Sequence, residues 1–191
     1  GVPSYIVDPV VVDELTNKAR ISGISDLERP SWFHALNHKA VARWTAERIG
    51  KKYEDCNLII AHLGSGNSIV AHRKGRMVDG SGGRTNGPFS PERSGGLPTY
   101  PLVELCYSGK YTEAEMHRML SGRGGLVAYT GSNDMRYLLA QAEHDKKIAG
   151  VVDAFHYQIG KEIGAMAAVM HGKVDQIILT GGIAYGKETV D

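Results

Sequence analysis

Two aliphatic runs in this chain deliver straight into glycine: Asn57-Leu-Ile-Ile-Ala-His-Leu63 into Gly64-Ser65-Gly66, and Gln176-Ile-Ile-Leu-Thr180 into Gly181-Gly182. Short aliphatic runs bounded by glycine read as strands buried on both faces. Glycine at their tips leaves no Cβ between the backbone and a ligand. Two such tips can hold two parts of one ligand. Glycine makes up 24 of 191 residues, about 13% against a usual value of about 7%. The excess bunches in LGSGNS, DGSGGRTNG, RSGGLP, SGRGGL and TGG, with periodic apolar stretches between. That pattern describes a folded chain with several ligand-facing turns and no flexible linker.

Charge narrows the ligand. With 22 Lys+Arg against 21 Asp+Glu, the net charge is +1 and basic residues are interspersed with acidic ones. No global field draws nucleic acid or an anionic membrane, so any anionic ligand must be held locally. Cys56 and Cys106 are too few for a disulfide scaffold, and no apolar run reaches the roughly 18 residues of a membrane-spanning helix. One domain in a reducing cytoplasm is the expectation, with a fragment of a second domain because both ends of the chain read as cut.

The remaining pattern is α/β. SYIVDP reads as a strand with Asp8 at its exit, followed by a helix from about Val11 to Ala19. Ser31 is positioned to cap a helix carrying Phe33, Leu36, Ala40 and Trp44 on its apolar face, stopped at Gly50, with His34 and His38 sharing a face. The 57–63 strand, Ser68–His72 and Arg76–Asp79 form an antiparallel meander. Asn86 to Leu97 must be a loop. Pro101–Tyr107 and Thr112–Leu120 suit short helices of an insertion. A stripe of Val151, Phe155, Ile159, Ile163, Met166 and Met170 predicts a long helix that feeds a strand at Val174–Thr180. The expected fold is an α/β layer with helices packed on a mixed sheet, and not a doubly wound Rossmann order.

Several residues are chemically suggestive. Gly64 to Ser68 offers backbone N–H groups, hydroxyls and an amide to a phosphate chain, although a plain hairpin turn explains the spacing equally well. Gly181 to Glu188 approaches a Walker A loop, with Glu188 in place of the metal-binding Ser/Thr; a carboxylate there would repel a phosphate. His34 and His38 have the i, i+4 spacing of a zinc pair but lack a third ligand. His62 stands at a strand end, where α/β folds commonly bind ligands, and Arg93 sits in a glycine-bounded loop with bidentate reach. Asp8 can orient Mg²⁺ or a substrate, or simply form a turn.

Their order along the chain decides among these readings. IVDPVVVDEL, ERPSWFHALNHKAVAR, NLIIAHLGSGNS, HRKGR, GPFSPERSGGLP, SGKYT, GGLVAY and IILTGGIAYG follow one another. The series resembles the butyrate kinases of the acetate kinase family, within the sugar kinase, heat-shock and actin superfamily. The resemblance implies a mixed-sheet ribonuclease H-like (actin-like ATPase) domain. It also implies reversible transfer of the ATP γ-phosphoryl group to a short-chain carboxylate, giving an acyl phosphate and ADP, with Mg²⁺ accompanying the nucleotide. By the same resemblance, Asp8, His34, His62 and Arg93 are the catalytic set and Asp8 the metal-linked residue. Gly64, Ser65, Gly66, Asn67 and Ser68 make the phosphate turn, and Gly181, Gly182 and Ile183 the adenosine motif.

Residues 1–10 would then be the tail of a first domain, and 11–191 most of the second, nucleotide-binding domain. The family's first phosphate turn, its substrate-binding arginine and a second metal-associated acid are expected outside this chain. A homo-oligomer is implied too. Asn67 and the stretch Gly80 to Thr85 depart from the butyrate kinase pattern, and His38 is closer to the acetate kinase one, which leaves acyl-chain preference open. The alternatives are an acetate, propionate or branched-chain acid kinase, or a nucleotide-binding module without catalysis.

Overall fold

A computed structural model describes residues 2–190. Three strands, β1 (Asn57–Leu63), β2 (Asn67–Arg73) and β3 (Arg76–Ser81), form the expected antiparallel meander, and β4 (Gln176–Thr180) joins β1 in parallel, giving the order β3-β2-β1-β4. The sheet is therefore mixed.

Period-two alternation divides its two faces. Ile59, Ala61 and Leu63 of β1 and Ile69 and Ala71 of β2 point to a core completed by Phe155, Ile159 and Met166. These last three lie on α7 (Lys146–Val169), the long helix that the apolar stripe predicts. Asp145 caps it by accepting from the N–H groups of Lys147 and Ile148. Leu58 and Ile60 face the other way, onto Ala42 and Ala46 of α2 (Ala35–Arg48). The same face of β2 carries Ser68, Val70 and His72, all buried.

The N-terminal part differs from expectation. SYIVDP pairs with no strand, and the helix expected from Val11 shrinks to α1 (Asn17–Arg20). Val2, Tyr5, Ile6, Val7, Val10 and Val11 are all exposed, so nothing in the described residues rewards a β ladder there. Leu15 and Ala19 do reach the core, against Phe33, Val70 and Met77. In α2 the expected apolar face is reversed: Leu36, Ala40 and Trp44 are exposed, while Ala35, His38, Lys39, Ala42, Thr45 and Ala46 are buried. Small residues let the helix lie close to the sheet, where His38 meets Ser68 of β2, while Lys39 pairs with Glu14 and the buried Thr45 hydroxyl has no partner among the described residues. Ser31 does not cap it, because its hydroxyl donates to the Val12 carbonyl.

The segment between β3 and α7 begins with the expected loop. It continues through α3 (Thr99–Tyr107), α4 (Glu113–Leu120), α5 (Gly125–Thr130) and α6 (Met135–Ala142), of which sequence periodicity had found the first two. Thr112 and Glu115 form a reciprocal capping box at the start of α4. After β4, residues 182–185 make a tight 3-10 turn and α8 (Lys187–Val190) follows, so Gly181 to Glu188 does not open into a wide phosphate-wrapping loop. No helix among the described residues is long and apolar enough to cross a membrane.

Candidate active site

Pairing register brings the site together. In the sheet His62 lies opposite Ser68 on β2 and beside Thr180 on β4, so the glycine tips that follow β1 and β4 emerge at the same end of the sheet. Leu63 pairs with Asn67, which makes Gly64-Ser65-Gly66 a three-residue hairpin turn. Gly181 has φ 91°, and a Cβ there would stand 2.8 Å from the Leu63 carbonyl carbon. Only glycine permits that approach.

Arg93 reaches this turn from the loop after β3. A Cβ on Gly66 would lie 2.7 Å from Arg93 Cζ, so the guanidinium rests on the bare glycine backbone. Ser90 fixes the loop by donating its hydroxyl to the Ser65 carbonyl (2.7 Å) while accepting from the Arg93 N–H (3.2 Å). Burial, with Arg84 nearby, lowers the guanidinium's pKa and Glu92 opposes the shift. Arginine stays charged nonetheless.

His34, at the N-terminal boundary of α2, stacks on His62 with ring centroids 3.9 Å apart and planes 18° apart. Asn37 Oδ1 accepts from the His62 Nδ1–H at 2.8 Å, and His62 Nε2 has no hydrogen-bond partner among the described residues. His34 Nδ1 meets Ser68 Oγ at 2.7 Å, and His38 Nε2 meets the same oxygen at 2.7 Å. Burial, followed by the His62 and Arg93 charges, depresses His34 to a pKa of about 4, and burial lowers His62 as well. Both imidazoles are neutral at pH 7 in the free protein. Three of the four residues expected to be catalytic, His34, His62 and Arg93, thus gather around the glycine turn at residues 64–66.

Asp8 is placed differently. It lies in the N-terminal extended segment with φ 42°, and its carboxylate pairs with Arg43 Nη1 of α2 at 3.3 Å. The side chains of Asn67 and Ser68 turn inward: Asn67 Nδ2 donates to the Phe89 carbonyl at 3.1 Å, and the Ser68 hydroxyl is held between the two histidines. Their backbone, together with Gly64, Ser65 and Gly66, is what the turn can offer a ligand.

Beside the turn opens a cleft of about 840 Å³, lined by Gly64 and Ser65 on one side and Gly182 and Ile183 on the other. Gly181, with its Cα against Leu63, joins the two sides. Asn133, Asp134, Met135 and Arg136, at the start of α6, close the cleft. Sequence reading passed over these four, although the run Gly131-Ser-Asn-Asp is a helix-start signal near a glycine. It also missed Asn37, three residues after His34 on one helix, and His72, which alternates with Ser68 and Val70 on one face of β2. Both follow from periodicity alone.

The Acetokinase family model matches residues 18–190. This chain belongs to the acetokinase family. It is 53% identical over 189 residues to butyrate kinase 1 of Clostridium acetobutylicum, covering 98% of this chain and 53% of that protein. The crystal structure of Porphyromonas gingivalis acetate kinase superposes with a TM-score of 0.84 at 26% identity, over 92% of this chain and 46% of that one. A propionate kinase structure from Francisella tularensis gives 0.82 at 24% identity, over 93% and 48%, a likeness of fold. The chain thus spans about half the length of the relatives it matches. As a member of the acetokinase family it has the expected mixed-sheet, ribonuclease H-like architecture of the actin-like ATPases, and the glycine tips, stacked histidines and Arg93 gather at one end of the sheet strands.

Proposed function

We propose that this acetokinase chain carries the nucleotide side of a carboxylate kinase active site, phosphorylating butyrate or a close short-chain analogue from ATP, reversibly. One observation carries the reading: Arg93 and the stacked pair His34–His62 converge on a glycine turn at the mouth of a nucleotide-sized cleft. Gly64 to Ser68 would hold the phosphates, and Gly181, Gly182 and Ile183 the adenosine. The 53% identity to a protein described as a butyrate kinase favours butyrate as acceptor.

The chemistry needs little more than placement and charge. A carboxylate is already ionised at neutral pH, so no strong base is required. Its oxygen attacks the γ-phosphorus in line, the new C(O)O–P bond forms as the bridging P–O bond breaks, and ADP leaves with that electron pair. Charge on the three equatorial oxygens is met by the Arg93 guanidinium and the His34 ring, held in place before the reaction, and by His62 once it is protonated. His62 Nε2 carries a lone pair in the free protein, so the anionic oxygens of the phosphoryl group would draw a proton onto it. The transfer is direct; a trapped phosphorylated residue that turned over to acyl phosphate would show a covalent step instead.

Mg²⁺ is expected to arrive with the nucleotide. Among the described residues no group of three or more His, Cys, Asp or Glu side chains gathers into a metal cage, and Asp8 is engaged by Arg43, so the side chains as arranged do not fit a protein-held ion. No step is assigned to it. The exposed apolar stretch through Val11 supports residues 1–10 as the tail of a first domain and 11–191 as most of the second, although Gly1 and Asp191 lie outside the described residues. A cytoplasmic homo-oligomer completes the proposal.

The test is acyl-phosphate formation by the full-length protein, trapped as hydroxamate, with ATP and a series of acids. Highest kcat/KM with butyrate is expected. A preference for acetate, propionate or isobutyrate would reassign the acceptor, and nucleotide binding with no turnover on any acid would show a binding module instead.

A further inference from the structure

Behind His34 a line of polar groups runs into the protein. Ser68 Oγ links His34 Nδ1 to His38 Nε2; His38 Nδ1 faces His72 Nε2 at 3.4 Å; and His72 Nδ1 meets the Tyr53 hydroxyl at 2.7 Å. His38 and His72 are fully buried and Tyr53 nearly so. Burial keeps both histidines neutral and the phenol protonated.

A neutral imidazole has one N–H and one lone pair, so the line has only two polarities. In one, Tyr53 donates to His72, His72 to His38, His38 to Ser68, and Ser68 to His34 Nδ1, leaving the His34 proton on Nε2. In the other every bond reverses, and the Tyr53 hydroxyl accepts from His72 while its own proton has no partner. Ser68 is satisfied either way, because it also accepts from the His34 backbone N–H at 3.5 Å. Tyr53 breaks the tie: its hydroxyl has no other hydrogen-bond partner among the described residues, and a buried donor left unpaired is costly.

We infer that Tyr53 and His72 are positioning residues that, through His38 and Ser68, hold the His34 proton on Nε2, so that His34 presents a donor and not a lone pair to the phosphoryl oxygens. The target of that donor rests on the function proposed above; the proton's location does not. His34 Nε2 makes no hydrogen bond within the described residues and is open to a ligand.

Nitrogen NMR of the full-length protein with isotopically labelled histidine reads the tautomers directly. His34, His38 and His72 should all carry the proton on Nε2. Tyr53→Phe should give a mixture at His34 and lower kcat about threefold to tenfold with nucleotide KM within about twofold, the pattern of an interaction made in the transition state. His72→Gln, whose amide donates to His38 and accepts from Tyr53, should keep the wild-type tautomer and most of kcat; His72→Leu should lose both. A wild-type His34 protonated on Nδ1, or an unchanged tautomer in both Tyr53→Phe and His72→Leu, overturns the inference. Nε2 tautomers in a protein that makes no acyl phosphate would uphold the relay and remove only its target.

Discussion

At the residue scale, Arg93 and Gly66 form one device. The guanidinium lies where a Cβ on Gly66 would be, so the charge sits on the glycine turn with no side chain between them. Arg93→Ala in the full-length protein should lower kcat by about 10²–10³, the usual loss of one preorganised donor, while ADP affinity changes little. Isothermal titration with ADP and the hydroxamate assay separate these outcomes. Gly66→Ala should displace Arg93 without touching its charge, and a loss of about tenfold in kcat with an unchanged melting temperature is expected. Equal activity would mean that the arginine acts from elsewhere.

At the scale of elements, α2 shows what a sequence pattern conceals. Phe33, Leu36, Ala40 and Trp44 recur at helical spacing, yet the last three face solvent, and the Arg48 guanidinium lies 4.7 Å from the Trp44 ring. The buried side is small and polar because close approach to β1 leaves no room for large side chains and because β2 supplies polar partners. Ala46→Leu should therefore cost about 1–3 kcal/mol by overpacking against Leu58 and Ile60, whereas Trp44→Ala should cost under about 1 kcal/mol; urea unfolding measures both. By contrast α7 and the meander were legible, since continuous aliphatic runs and an unbroken stripe have a single way to be buried. The same holds at the site. His62, Arg93 and the glycine turns announced themselves by position at strand ends and in loops, but the pairing of Asp8 with Arg43 and the inward turn of Asn67 depend on tertiary neighbours that no local spacing encodes.

At the scale of the whole molecule, the buried imidazoles tie folding to pH. His72 is depressed to about 3 by burial and the nearby Lys39 cation, and His38 is lowered by burial and by its histidine neighbours. Their pKa values are lower in the folded state than in the unfolded one, where histidine titrates near 6.5, so the unfolded chain binds more protons below that pH. Stability is complete above about pH 6.5 and declines as the pH falls towards the folded values. His72 should remove about 2 kcal/mol by pH 5, and His38 adds to the loss in the same direction. Urea midpoints measured from pH 7.5 to 5 should fall accordingly, and His72→Gln should flatten the slope by about one histidine's share. A midpoint that stays level would mean that the pair is protonated in the native state.

The contact between Gly181 and the Leu63 carbonyl has a mechanical consequence. The strand tip assigned to adenosine and the tip assigned to phosphate touch main chain to main chain, with no flexible side chain to take up slack. On the function proposed above, the spacing between the two ends of the nucleotide is gauged by a single rigid joint, like the fixed jaw of a caliper, and any bulk inserted at Gly181 would open that gauge and shift the bound molecule relative to Arg93.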